Sequence, residues 1–174
     1  MMYARSGGMG RQPMSLSQRV DSDQQLARLL QIGIVLEEVA EARANNHRQS
    51  LPEPDAELET LLATAAEESA AHRDRLTKLI DGLAADSVPF GQIKTLVKAS
   101  YGQTKPEDFD GVLYDQLCNE ETAYKFYDDL IEAVEASDEP FSLDRSQLVT
   151  VLRELRAAER EGVETVTEIM EQRE

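Results

Sequence analysis

Glu37, Glu68, Glu120 and Glu159 each interrupt an otherwise apolar helical stripe, and His72 follows Glu68 by one helical turn. An ionised carboxylate does not sit inside a core unless it is paired or bound to a metal. Four carboxylates carry the charge that balances two divalent cations, and carboxylate oxygens with an imidazole suit iron or manganese. Without metal the same carboxylates repel one another, and some must hold protons. Glu37, Glu68, His72, Glu120 and Glu159 are therefore the candidate metal ligands.

These residues need long, regular elements to bring them together. The first helix is expected from Ser22 to Arg48, with Leu26, Leu30, Gly33, Glu37, Ala40, Ala44 and His47 along one face. The spacing alternates three and four, the seam of a helical bundle. Pro52-Glu53-Pro54 ends it, and Asp55 caps a second helix that runs to Asp81 before Gly82. That helix faces inward with Leu58, Leu62, Ala65, Ser69, His72, Leu76 and Leu79.

Residues 83–103 form a long connection, with a short helix expected from Gln92 to Ser100. Thr104-Lys105-Pro106-Glu107 reads as a capping box for a third helix from Pro106 to Ala136. Its stripe is Phe109, Leu113, Gln116 or Leu117, Glu120, Ala123 or Tyr124, Tyr127, Leu130 or Ile131, and Val134. Tyr124 and Tyr127 are both expected to flank Glu120 on the inward side. After the Ser137–Pro140 turn, Ser142 is the expected cap of a fourth helix from Leu143 to Glu171. Leu148, Leu152, Leu155, Glu159, Gly162, Val166 and Ile169 form its stripe. Residues 1–20, with Ser6-Gly7-Gly8-Met9-Gly10 and Pro13, read as a flexible tail, and residues 21–174 as one helical domain.

Counting from each turn gives the heights. Glu37 lies 15 residues before the first turn and Glu68 lies 16 after it. Glu120 and Glu159 are 19.5 residues either side of the second. At ~1.5 Å rise per residue, each hairpin presents two level carboxylates. Two short-looped hairpins joined by a long crossover make an all-α four-helix bundle in which the second and third helices run parallel.

This connectivity and carboxylate placement resemble the ferritin-like superfamily, the ferritin and rubrerythrin type of four-helix bundle, from about residue 22 to Glu174. The family pattern has a Glu on the first helix, Glu-x-x-His on the second, Glu on the third and Glu-x-x-His on the fourth. By resemblance Glu37 takes the first role, Glu120 the third, and Glu159 the fourth-helix carboxylate. Gly162 stands where the last His belongs. Glu68 and His72 are four apart, not three; if His72 aligns with the family His, Ser69 occupies the Glu position. The missing His leaves either an open position for oxygen or peroxide, or a degenerate site.

The resemblance implies two iron ions, or manganese, and oxidation of Fe(II) with oxygen or peroxide. The alternative is a bundle without enzymatic activity that serves as an interaction or assembly module, its polar layer fixing helix register. A fifth helix of the kind found in large cages does not follow the fourth, so a homo-oligomer as small as a dimer is expected. The single cysteine, Cys118, leaves no cysteine-based second iron site and no intrachain disulfide.

A net charge of −16 repels phosphate backbones and anionic membranes, so nucleic acid is not an expected partner. No apolar run approaches the ~18 residues of a membrane span, and the first 20 residues lack the apolar stretch of a signal peptide. A cytoplasmic location is the expectation. Glu38, Glu67, Glu121, Glu161 and Glu164 read as surface charge, Glu41 as solvated, and His47 as structural.

Overall fold

A computed structural model describes residues 20–86, 91–93 and 111–174. The described residues form helices and no strands: α1 (Asp23–Gln49), α2 (Ala56–Asp81), α3 (Val112–Ala136) and α4 (Arg145–Gln172). None is long and apolar enough to cross a membrane. Residues 91–93 are also helical, and Ile93 is buried. The rest of the expected Gln92–Ser100 helix, the capping box at Thr104–Glu107, Phe109 and the tail before Val20 lie outside the described residues. Val20 itself packs into the core at 4% exposure.

The helix starts follow local chemistry. The Ser22 hydroxyl accepts from Gln25 N, and the Asp55 carboxylate accepts from Leu58 N, each at 3.1 Å. At α4 the expected cap was one residue pair too early. Asp144 accepts from Gln147 N, whereas Ser142 N donates to the Asp23 carboxylate at the start of α1. The third helix also begins later than Pro106. Gly111 stands before it at φ 94°, a left-handed conformation that glycine adopts without strain, and helical backbone starts at Val112.

Cross-helix contacts give the directions. Gln24 meets Asp86 at one end of α1 and α2, and Glu37 meets His72 near the middle, so these helices are antiparallel. Arg153 with Glu135 and Arg156 with Asp128 make α3 and α4 antiparallel. Tyr127 with Glu37 and Asp115 with His47 do the same for α1 and α3. Arg75 with Glu154 and Arg173 with Asp55 do so for α2 and α4. It follows that α2 and α3 point the same way.

The core is uneven along this length. The larger apolar cluster includes Leu26, Leu30, Leu76, Phe126, Leu130, Leu148 and Leu152, toward the α3–α4 turn. Toward the α1–α2 turn a smaller cluster holds Ala44, Leu62, Ala65 and Ala66. The polar layer lies between them. Gly33, one turn before Glu37, lets α1 approach closely. A Cβ there would lie 2.9 Å from Phe126 Cε2 and 3.0 Å from Leu76 Cδ1.

Candidate metal centre

Glu37 from α1, His72 from α2 and Glu159 from α4 meet in the interior, at 1%, 8% and 4% exposure. One potential ligand atom from each lies within 4.8 Å of the others. His72 Nδ1 stands 3.1 Å from Glu37 Oε2 and 3.1 Å from Glu159 Oε2. From α3, the Tyr127 hydroxyl donates to Glu37 Oε2 at 2.5 Å. Ala40, Ala65 and Ala123 line the same cavity, so small side chains leave room for the carboxyl groups.

Glu120 is buried beside this cluster. Gln116, one turn earlier on α3, donates from Nε2 to Glu120 Oε2 at 2.9 Å. The Glu120 carboxyl lies directly over Gly162 of α4. A Cβ at Gly162 would fall 2.5 Å from Glu120 Cδ and Oε1, and 2.7 Å from Oε2. The absence of a side chain at Gly162 thus leaves room for a carboxyl group from the facing helix.

Electrostatics mark this as a crowded site. Burial, followed by the charges and hydrogen bonds of Glu37 and Glu120, pushes the Glu159 carboxyl well above the usual range. The protonated form of Glu159 is favoured by these surroundings relative to a solvated carboxyl. Burial and the adjacent Glu37 and Glu159 charges likewise push the Tyr127 phenol up, so it stays a donor.

Glu68 departs from the expectation of an inward residue. It is exposed, yet its carboxyl lines the cavity mouth with Glu120. Partial burial and the Glu120 charge raise its pKa, and His72 opposes the rise. The physical reason for its position is side-chain direction. Cα–Cβ bonds tilt toward a helix's N-terminus, so level residues on antiparallel helices lean apart. Glu37 leans away from the α1–α2 turn and Glu68 leans toward it. His72, one turn further along α2, leans back to meet Glu37.

Two other expectations change. Tyr124 is not at the site. Its hydroxyl accepts from Arg160 at 3.2 Å and its ring lies under that guanidinium. Glu41 accepts from Arg73, so it is paired with a neighbouring helix. Glu38, Glu67, Glu121, Glu161 and Glu164 are exposed. Burial pushes the Cys118 thiol up, with Glu121 and Asp115 adding to the effect, so Cys118 remains a protonated, unreactive group.

Sequence reasoning missed Asp115 and left Gln116 as one of two options. Asp115 is buried, at 2.7 Å from His47 Nε2 and 3.4 Å from Arg43 Nη1, and it ties the start of α3 to the end of α1. Nothing local signals that, since Asp115 sits at the edge of the α3 stripe. The signal for Gln116 was its place four residues before Glu120.

Comparison of the chain with known protein families, curated proteins and solved structures finds no match.

Proposed function

We propose that this protein is a ferritin-like carboxylate metal protein that takes Fe(II) or Mn(II) and oxidises Fe(II) with oxygen or peroxide. The observation that carries the reading is the buried Glu37–His72–Glu159 cluster with its ligand atoms inside 4.8 Å. Parallel α2 and α3 support a crossover connection of the ferritin-like kind, with antiparallel hairpins at either end.

The donor set fits a divalent transition metal. Glu37 and Glu159 balance its charge, and His72 supplies the nitrogen that iron, manganese or zinc accepts. Glu120 and Glu68 are the carboxylates available toward a second ion. A bound cation would also offset the carboxylate crowding that raises the Glu159 pKa. Iron supplies the redox change when bound. Tyr127 orients the Glu37 carboxylate, as Gln116 does for Glu120. The partners are metal ions and, from the resemblance, further copies of the chain.

Metal analysis of the purified protein, with stoichiometry per chain, tests the reading. Glu159→Gln and Glu120→Gln should each abolish Fe(II) oxidation, because an amide is a poorer, uncharged ligand. Absence of bound metal together with background oxidation would reject it.

A specific observation favours the second reading, a polar layer without metal that fixes helix register. Glu37 already accepts from Tyr127 and lies within hydrogen-bond distance of His72, and Glu120 already accepts from Gln116. In that case the same substitutions leave metal uptake at background.

A further inference from the structure

The four seams between neighbouring helices are not closed alike around the polar layer. Tyr127 reaches from α3 to Glu37 of α1, and Arg73 of α2 spans to Glu41 of α1. Tyr124 of α3 and Arg160 of α4 cover the third seam. The fourth seam, between α2 and α4, is pinned at its ends by Arg75 with Glu154 and by Arg173 with Asp55 and Glu57. Between these pins His72 reaches Glu159. The helices are antiparallel, so one turn beyond that contact Glu68 comes opposite Gly162, and a further turn on Thr64 comes opposite Thr165. A cavity opens along this stretch, walled by Thr64, Glu68, Glu161, Gly162 and Thr165. Thr64, Glu68, Glu161 and Thr165 are exposed, so its mouth faces solvent.

The inner end of this cavity is the polar layer itself. Ala65, Glu68 and Glu120 border both it and the inner cavity lined by Glu37, His72 and Glu159. Gly162 brings Glu120 to the boundary, since a Cβ there would fall 2.5 Å from the Glu120 carboxyl. Burial raises the Glu68 pKa; of the charges acting on it, Glu120, Glu161 and Glu37 add to the rise and His72 opposes it. Glu68 is therefore within electrostatic reach of both the buried cluster and Glu161 at the rim. No basic side chain lines the cavity among the described residues, and Arg160, next to Glu161, is drawn to Tyr124 on the α3 side. A cleft lined by one sign of charge draws in cations and repels anions.

We propose that the gap between α2 and α4 is the route by which divalent cations reach the Glu37–His72–Glu159 cluster, entering past Thr64, Thr165 and Glu161. The threonine hydroxyls and the Glu161 carboxylate offer oxygens to an ion that is shedding its water. The proposal rests on the metal-binding reading above and gives that site a path of entry, with no further ion. It assigns a role to Thr64, Glu161 and Thr165, none of which is a ligand in that reading.

Stopped-flow mixing of the metal-free full chain with Mn(II), followed with an indicator dye for free Mn(II), tests the route. Release into a strong chelator gives the reverse rate, and circular dichroism checks folding. Thr165→Phe narrows the mouth from an exposed position. It should slow uptake and release by the same factor, leaving Kd and stoichiometry as in the parent. Glu161→Lys should slow uptake on the order of tenfold at low salt, the lower end of steering by a charged cleft, and by less at high salt. Glu132→Phe, at an exposed position of α3 far from the gap, should take up Mn(II) at the parental rate. If Thr165→Phe fails to fold, Glu161→Lys decides alone. A parental uptake rate in either folded variant, while the parent binds Mn(II), would overturn the route and leave the metal-binding reading standing. Equal slowing in Glu132→Phe would also overturn the route. No uptake of Mn(II) by the parent would overturn both.

Discussion

Replacing Gly162 by Ala tests the packing of the polar layer most directly. Glycine to alanine in a helix interior normally stabilises by ~1 kcal/mol, because the glycine backbone loses more freedom on folding. Here the new Cβ would lie 2.5 Å from Glu120 Cδ and Oε1, where ordinary contact begins at 3.4 Å. The carboxyl group must retreat by about 1 Å to relieve that overlap. Its hydrogen bond from Gln116, 2.9 Å long, does not survive such a shift. Losing a buried hydrogen bond to a charged group costs about 1.5–3 kcal/mol. The net expectation is destabilisation of about 1 kcal/mol, or a fall in Tm of ~2–4 °C for a chain of this size.

Urea unfolding of metal-free protein, followed by far-ultraviolet circular dichroism, measures the change. The control is the same substitution in a Glu120→Ala background. There the overlap is gone, and Gly162→Ala should stabilise by its intrinsic ~1 kcal/mol. The sign of the effect should therefore reverse between the two backgrounds. Stabilisation of the parent by as much as in the Glu120→Ala background would mean that Glu120 does not lie over Gly162.

Other substitutions and conditions probe the remaining groups. Tyr127→Phe removes the donor to buried Glu37 and should cost ~1.5–3 kcal/mol in urea unfolding of the metal-free protein. Glu159 has a raised native pKa, so the native state holds a proton that the unfolded chain releases above its ordinary value of 4.5. Its contribution to stability is thus greatest below that pH and declines as pH rises toward the native pKa. Unfolding free energy measured across this range without metal should show the decline, and Glu159→Gln should flatten it. Saturating Mn(II) at about 100 times its Kd should raise stability by ~2.7 kcal/mol. Differential scanning calorimetry at fixed ionic strength reads this as a higher Tm, and no shift would count against native-state metal binding.

The helical faces were legible because apolar spacing is a direct consequence of helix geometry. All seven residues expected on the inner face of α2, Leu58 through Leu79, are buried there. On α4 only Gly162 of the expected stripe is less than buried. Heights along the helices were less legible, since counting residues places Cα atoms and not side-chain tips. That is why Glu68 and Glu37 fail to meet although the count makes them level. Tyr124 shows a second limit. Its stripe position and that of Ala123 differ by one residue, and a cation on the neighbouring helix draws its hydroxyl outward. Asp115 shows a third, because its partners Arg43 and His47 lie about 70 residues away in sequence and only folding brings them near.

The polar layer joins every pair of helices that packs together. His72 links α2 to Glu37 of α1 and to Glu159 of α4. Tyr127 links α3 to α1, and Glu120 over Gly162 fits α3 to α4. A slip of either hairpin by one turn would break several of these contacts together, and would leave carboxyl groups buried without partners. The smaller apolar cluster at the α1–α2 end has few large side chains to oppose such a slip. Register there depends more on polar contacts, including the ion pairs of Asp115 with Arg43 and His47 and of Arg173 with Asp55. Holding register and holding metal therefore make the same geometric demand on Glu37, His72 and Glu159. They differ in what each needs from charge. Register requires a hydrogen-bond acceptor, which an amide still provides, whereas a divalent cation requires the carboxylate itself.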